Sequence, residues 1–71
     1  MTFGIVKFFD LTKGCGLIAP DGGTGDVVVH QLDVDRAGLG QLAAEQRLGF
    51  DTVVCQSGPR AVNLWATFGN R

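Results

Sequence analysis

Few side chains in this sequence could do chemistry: one histidine, two cysteines, six lysines and arginines, and seven acids. His30 has no second histidine in the chain and no cysteine near it in sequence, which disfavours a metal site. The sequence also lacks a Ser, His and acid set, paired carboxylates on one strand, and a phosphate loop of the Walker type. These residues therefore predict no catalysis, no metal and no cofactor, and they favour a binding protein over an enzyme.

The basic side chains limit the possible partners. The net charge is -1 at pH 7 and the sequence pI is about 5.5, so the chain as a whole does not attract phosphate. Binding to nucleic acid would have to depend on the local placement of Lys7, Lys13 and Arg60. Asp10 lies between the two lysines in sequence and would repel a phosphate backbone.

Length and composition indicate one small domain over residues 1–71. The chain is 45% hydrophobic with a mean hydropathy of +0.19, enough for one core. No apolar run approaches the roughly 18 residues of a membrane span and no secretory signal is visible, so we expect a cytoplasmic protein without a membrane partner. Cys15 and Cys55 form no Cys-x-x-Cys pair, which favours free thiols.

Short strands are predicted to position these residues. Apolar runs with period-2 alternation are separated by turns rich in glycine, which predicts an all-β fold: a closed or nearly closed barrel of five antiparallel strands. Gly16 lies inside the second strand, where a glycine often marks the close approach of a ligand or of another backbone. The predicted strands are residues 2–9, 15–19, 26–30, 48–56 and 60–67.

Strand alternation gives a predicted core. The first strand places Val6 inside and both Lys7 and Phe8 toward solvent only if a bulge near Gly4 or Phe8 shifts the register. The predicted buried residues are Val6, Ile18, Val27, Val29, Phe50, Val62 and Leu64. The same alternation places Trp65 opposite Val62 and Leu64, on the side of Ala61 and Asn63, where it could cap the barrel, form a dimer contact or touch a ligand.

The connection over residues 31–47 shows no strand period. Leu32 and Val34 are expected in one tight turn. Good helix formers around Leu39 and Leu42 and over residues 41–46 predict about one and a half turns of helix. Residues 69–71 are expected to fray.

Four segments together resemble the bacterial cold-shock domain in order and spacing. They are residues 4–10 (GIVKFFD), 13–18 (KGCGLI), 26–30 (DVVVH) and 58–64 (GPRAVNL). The resemblance implies the oligonucleotide-binding fold. It also implies binding of single-stranded RNA or DNA with low sequence specificity, in the manner of an RNA chaperone or of a modulator of transcription or translation. The family usually has a glycine where Glu45 stands, so we expect a local departure in that loop.

The resemblance also implies a set of binding residues. In cold-shock domains the outer face of strands one to three carries a row of aromatic side chains on which bases stack, while basic groups meet the phosphates. Lys7 and Lys13 flank this row and could pair with phosphates, although each could equally be an ordinary surface lysine, and Arg60 is the third basic candidate. The positions that match the aromatic row are Phe8, Cys15, Leu17, Val28, His30, Gln31 and Leu39. Only Phe8 and His30 keep a flat ring, so binding is expected to be weak.

Several of these residues have a second interpretation. Phe8 could fill the flank of the barrel, His30 could be an ordinary surface histidine, and Cys15 is either a small apolar filler or a reactive thiol. The whole face has an alternative as well: its apolar members (Cys15, Leu17, Val28 and Leu39) could bind a protein partner or a second copy of the chain. A monomer is expected and a homodimer remains open.

Overall fold

Residues 2–23 and 25–66 are described by a computed structural model of the chain. The predicted strands are all found, with ends that differ by one or two residues. The predicted end of the last strand at Thr67 and the predicted fraying of residues 69–71 lie outside the described residues. The elements are β1 (Thr2–Asp10), β2 (Cys15–Pro20), β3 (Val27–His30), α1 (Gln31–Arg36), β4 (Arg47–Cys55) and β5 (Gly58–Ala66).

The strands close into a barrel in the order β1-β2-β3-β5-β4, and β4 pairs with β1 to complete it. The prediction of a purely antiparallel barrel is wrong in one place, since β3 and β5 run parallel with Val28 opposite Arg60. The reason is the connection after β3. It carries the chain to the far side of β1, where β4 begins, and the β4–β5 hairpin then returns beside β3 in the same direction.

The first strand contains the expected bulge. The pairing of β1 with β2 shifts register between Val6 and Phe8, and Val6 is buried while both Lys7 and Phe8 are exposed. The extra residue turns two consecutive side chains toward solvent and lets Phe9 pack against the core. This irregularity is what presents Phe8 on the outer face.

Six of the seven predicted core residues are buried, and Val62 is the exception. Ala61 is inside instead, because the register of β4 and β5 shifts between the pairs Gly49–Trp65 and Asp51–Val62. Asn63, in this irregular stretch, has a positive φ of 52°. The buried residues of the core are Val6, Ile18, Val27, Val29, Val34, Leu42, Leu48, Phe50, Ala61 and Leu64.

Gly16 lies on the inner side of β2, next to β1. A Cβ added there would overlap the carbonyl oxygen of Phe8 and stand 2.9 Å from the Cα of Phe9. Of the two reasons considered for this glycine, the close approach of another backbone therefore accounts for it.

The helix lies earlier in the chain than predicted. α1 occupies residues 31–36, where a tight turn was expected, with Asp33 in its first turn and Arg36 in its last, as the helix dipole favours. Residues 41–46 contain a turn at residues 44–45 and no helix, because the backbone groups of Glu45 and Gln46 bond to β1. The N–H of Glu45 donates to the carbonyl of Val6 at 2.7 Å, and the N–H of Val6 donates to the carbonyl of Gln46 at 2.8 Å. No helix among the described residues is long and apolar enough to cross a membrane.

Trp65 lies on the outside of the barrel where β1, β4 and β5 meet. It packs across Gly49 and against Phe3, with ring centroids 6.0 Å apart and planes at 80°. The predicted grouping of Trp65 with Ala61 is wrong, because the irregular stretch at Asn63 separates the two residues and Ala61 points inward. Trp65 therefore covers the seam of the barrel, and it does so away from the face of β1–β3.

Candidate nucleic-acid interface

Two rows of side chains cross the outer face of β1, β2 and β3. In the first row Phe8 pairs with Leu17 and Leu17 with Val28. Phe8 is 49% exposed, and the other two are half-buried. The second row consists of Asp10, Cys15 and His30. We call these six residues the β1–β3 face. Five of the residues predicted to bind lie side by side on this face: Phe8, Cys15, Leu17, Val28 and His30.

Gln31 and Leu39, which were also predicted to contact ligand, lie beyond β3. The backbone N–H of Gln31 donates to the carbonyl of Gly14 at 2.8 Å, and its side-chain amide donates to Asp35 at 2.8 Å and to the carbonyl of Gly40 at 3.2 Å. Leu39 is partly buried and packs against the core. In addition to the predicted contact with a ligand, both residues therefore hold the loop after α1 against the barrel.

The two lysines flank the β1–β3 face. The Nζ of Lys7 lies 2.9 Å from a carboxylate oxygen of Asp26, and both side chains are well exposed. An exposed pair of this kind contributes about 0–1 kcal/mol, so a phosphate could take the place of Asp26 at little cost. Lys13 makes no ion pair with any described residue.

Arg60 is held differently. Its Nε and Nη2 donate to the same Oδ2 of Asp33, at 3.0 and 2.7 Å, and Asp33 is only 4% exposed. The hydrogen bond to Asp33 raises the pKa of Arg60 above its already high usual value, with a smaller contribution from Cys55. The guanidinium is therefore positively charged and fixed in orientation. Sequence reasoning missed Asp33, because nothing in the pattern distinguishes it from the exposed Asp35.

Asp10 closes the turn between β1 and β2. Its Oδ1 accepts hydrogen bonds from the backbone N–H groups of Thr12 at 2.9 Å and Lys13 at 3.2 Å. Gly14, with a φ of 71°, completes this turn, and a side chain there would be strained. The carboxylate expected to repel phosphate thus has a structural function, and its charge is partly satisfied by the turn.

The chemistry available on the β1–β3 face is stacking and charge pairing. Among residues 2–23 and 25–66, no three His, Cys, Asp or Glu side chains come close enough to hold a metal ion. Cys15 and Cys55 are free thiols. The exposed ring of Phe8 is available for stacking, and the lysines carry charges that could pair with an anion.

Comparison with known proteins agrees with this geometry. Residues 2–67 match the family described as the "'Cold-shock' DNA-binding domain". A probable cold shock protein of Sinorhizobium fredii is 47% identical over 53 residues, which cover 75% of this chain and 77% of that protein. Cold shock protein ScoF of Streptomyces coelicolor is 41% identical over 64 residues, which cover 90% of this chain and 96% of that protein.

The chain belongs to the cold-shock domain family. The closed five-stranded barrel is consistent with the oligonucleotide-binding fold of that family. Membership implies nucleic-acid binding in general, and proteins with this domain are in general not enzymes.

Proposed function

We propose that this protein is a single cold-shock-like domain that binds single-stranded RNA or DNA, weakly and with little sequence preference, on the β1–β3 face. The observation that carries the proposal is the row of Phe8, Leu17 and Val28 on adjacent strands, exposed or half-exposed. His30 adds a second flat ring in the neighbouring row. We propose that Lys7 and Lys13 meet phosphates from the edge of this face, and that Arg60, the register partner of Val28 on the next strand, does so as well.

The proposed affinity follows from the missing rings. Five of the seven matched positions carry no ring, and each replacement forfeits about half of the roughly 1–3 kcal/mol that a stacked base contributes. The loss of several kcal/mol corresponds to about a hundredfold or more relative to a complete aromatic face. The apolar replacements still contact bases, so binding is reduced and not abolished. Such a protein suits an RNA chaperone, or a modulator of transcription or translation, in the cytoplasm.

The test is a titration of ¹⁵N-labelled protein with a short oligothymidine. Amide signals between residues 7 and 31 should shift, and Phe8→Ala should weaken binding by about five- to a hundredfold, because a stacking ring is lost. Val54→Ala is the matched control, since Val54 is 87% exposed on β4 and outside the β1–β3 face. Shifts confined to other residues, or equal affinities for both variants and the parent, would contradict the proposal.

The second candidate function is binding of a protein partner or self-association. It is favoured by the adjacent, half-exposed and ringless pair Leu17 and Val28, with Cys15 beside them. Amide shifts that depend on protein concentration in the absence of oligonucleotide, on these same residues, would support it. We propose that the protein is a monomer, for which the amide shifts should not depend on protein concentration.

A further inference from the structure

A groove separates α1 from β5, next to the β1–β3 face but not part of it. Its volume is about 460 Å³. The charged residues that line it are Arg36, Arg60 and Asp33, so two cations face one anion in a chain whose net charge is -1. The groove is therefore a local positive site.

The ion pair at the base of the groove fixes the direction of one cation. Asp33 is almost completely buried and receives two of the five N–H donors of Arg60. The remaining donors belong to a guanidinium whose orientation is already set, so little rotamer entropy is lost when it binds an anion. The Arg60 side chain keeps 29% of its surface exposed, which leaves it accessible from the groove.

Arg36 is the cation of the groove that is not paired with an acid among the described residues. It is exposed in the last turn of α1 and makes no ion pair within the part of the chain that the structure describes. Because Asp33 is already paired with Arg60, no acid among the groove residues neutralises Arg36.

The groove continues the proposed binding face. Val28, the last residue of the row that begins at Phe8, is the parallel register partner of Arg60. Partners in adjacent strands point to the same side, and strands lie about 4.8 Å apart, so Arg60 follows Phe8 at a distance of three strand spacings, roughly 14 Å. A strand of nucleic acid that crosses the row of Phe8, Leu17 and Val28 is thereby led to the groove.

We propose that this groove is a phosphate subsite at the end of the interface, where Arg36 and Arg60 together bind one backbone phosphate of the single strand. Two planar guanidinium groups match the oxygens of a phosphate diester. Asp33 is a positioning residue that orients Arg60. The inference rests on the proposed function, since it extends the path of the same strand.

The test compares Arg36→Gln with Arg47→Gln, a charge-matched control in which the arginine lies outside the groove and pairs with Asp21. Binding of a labelled nonathymidine is measured over a range of salt concentrations after amide spectra have shown that each variant is folded. Arg36→Gln should weaken binding about fivefold at low salt and lower the slope of log affinity against log salt by about 0.7, the value for one phosphate contact on a single strand. Arg36→Lys should recover part of the loss, and Arg47→Gln should match the parent.

Each of the other outcomes contradicts the subsite, and one of them also contradicts the proposed function. Equal losses for Arg36→Gln and Arg47→Gln would mean a general charge effect and would overturn it. If Phe8→Ala weakens binding while Arg36→Gln does not, the subsite is overturned and the proposed function stands. If neither change matters, the strand does not lie on the β1–β3 face and both fail. If the parent binds a labelled polyglutamate peptide, and Arg36→Gln loses the peptide but binds the oligonucleotide as the parent does, the subsite is overturned and the groove is assigned to an acidic protein.

Discussion

The indole ring of Trp65 lies against Gly49 so closely that a Cβ at position 49 would stand 2.5 Å from its Cε2 atom. On the other side of Gly49 in the sheet is Phe3, its register partner on β1, which meets the indole edge to face. The absence of a side chain at Gly49 is therefore what allows two large rings to cover the junction of β1, β4 and β5.

This packing predicts a specific incompatibility. Gly49→Ala should lower the free energy of unfolding by about 1–3 kcal/mol, because the new methyl group overlaps the indole and one of them must move. Denaturant unfolding followed by circular dichroism measures the change. In a Trp65→Val background the same Gly49→Ala substitution should cost clearly less, and equal costs in both backgrounds would show that the ring does not rest on Gly49.

The core makes a second prediction. Ile18→Ala should cost about 2–4 kcal/mol, because the side chain is fully buried at the centre of the barrel and its removal leaves a cavity. That is a large part of the stability of a small domain. Thermal unfolding measures it, and Val54→Ala on the exposed side of β4 should leave the midpoint almost unchanged. Similar midpoints for the two variants would be inconsistent with the described core.

Glu45 provides a third prediction, about backbone strain. Its φ is 72°, a conformation that costs a residue with a side chain about 1 kcal/mol relative to glycine. Glu45→Gly should therefore be neutral or stabilising by up to about 1 kcal/mol, because the greater freedom of glycine in the unfolded chain offsets part of the gain. Glu45→Ala keeps the strain and is the control. A glycine variant less stable than the alanine variant would contradict this account.

The charge distribution predicts how binding responds to salt. If Lys7, Lys13 and the groove each neutralise one phosphate, the slope of log affinity against log salt should be about 2 in magnitude, at roughly 0.7 per phosphate. Titrations of oligothymidine at several salt concentrations give the slope directly. A magnitude of five or more would reveal a basic surface that is not among the residues identified here.

Restoring rings should restore affinity. Cys15→Phe together with Leu17→Phe should strengthen oligothymidine binding at least about tenfold, because both side chains lie on the outer face next to His30 and Phe8. The comparison is made at one low salt concentration after both proteins are shown to be folded. Val54→Phe, which adds a ring on an exposed part of β4, is the control and should have no effect. Equal affinity for the double variant and the parent would place the strand elsewhere.

The strands were predictable because the alternation of apolar residues and the turns rich in glycine agree with each other. The bulge in β1 was predicted only as a condition, near Gly4 or Phe8, because Val6 can lie inside with both Lys7 and Phe8 outside only if an extra residue shifts the register. At Val62 no such conflict is visible in the sequence, because Ala61 and Val62 are both apolar and either could face inward. Which of the two residues faces inward is set by the pairing of β5 with β4, whose register shifts next to Asn63, a residue with a positive φ.

The structural features that could not be predicted from the sequence depend on contacts between segments that are distant in the chain. The preference of residues 41–46 for helix is overridden by hydrogen bonds to Val6, and so short a segment gains little from helix formation alone. The parallel pairing of Val28 with Arg60 and the choice of Asp33 as the partner of Arg60 depend on where the chain returns after crossing the barrel. These are the features that form the groove, so the groove could not be predicted from local patterns.

The position of Trp65 has a consequence for optical measurements. The chain contains one tryptophan and no tyrosine, so its intrinsic tryptophan emission comes from a single indole at the junction of β1, β4 and β5. That emission reports chiefly whether the barrel is intact, because the indole packs on Phe3 and not on the row of Phe8, Leu17 and Val28. An oligonucleotide that stacks on this row should quench it little, so a label on the nucleic acid is the more direct reporter of the complex.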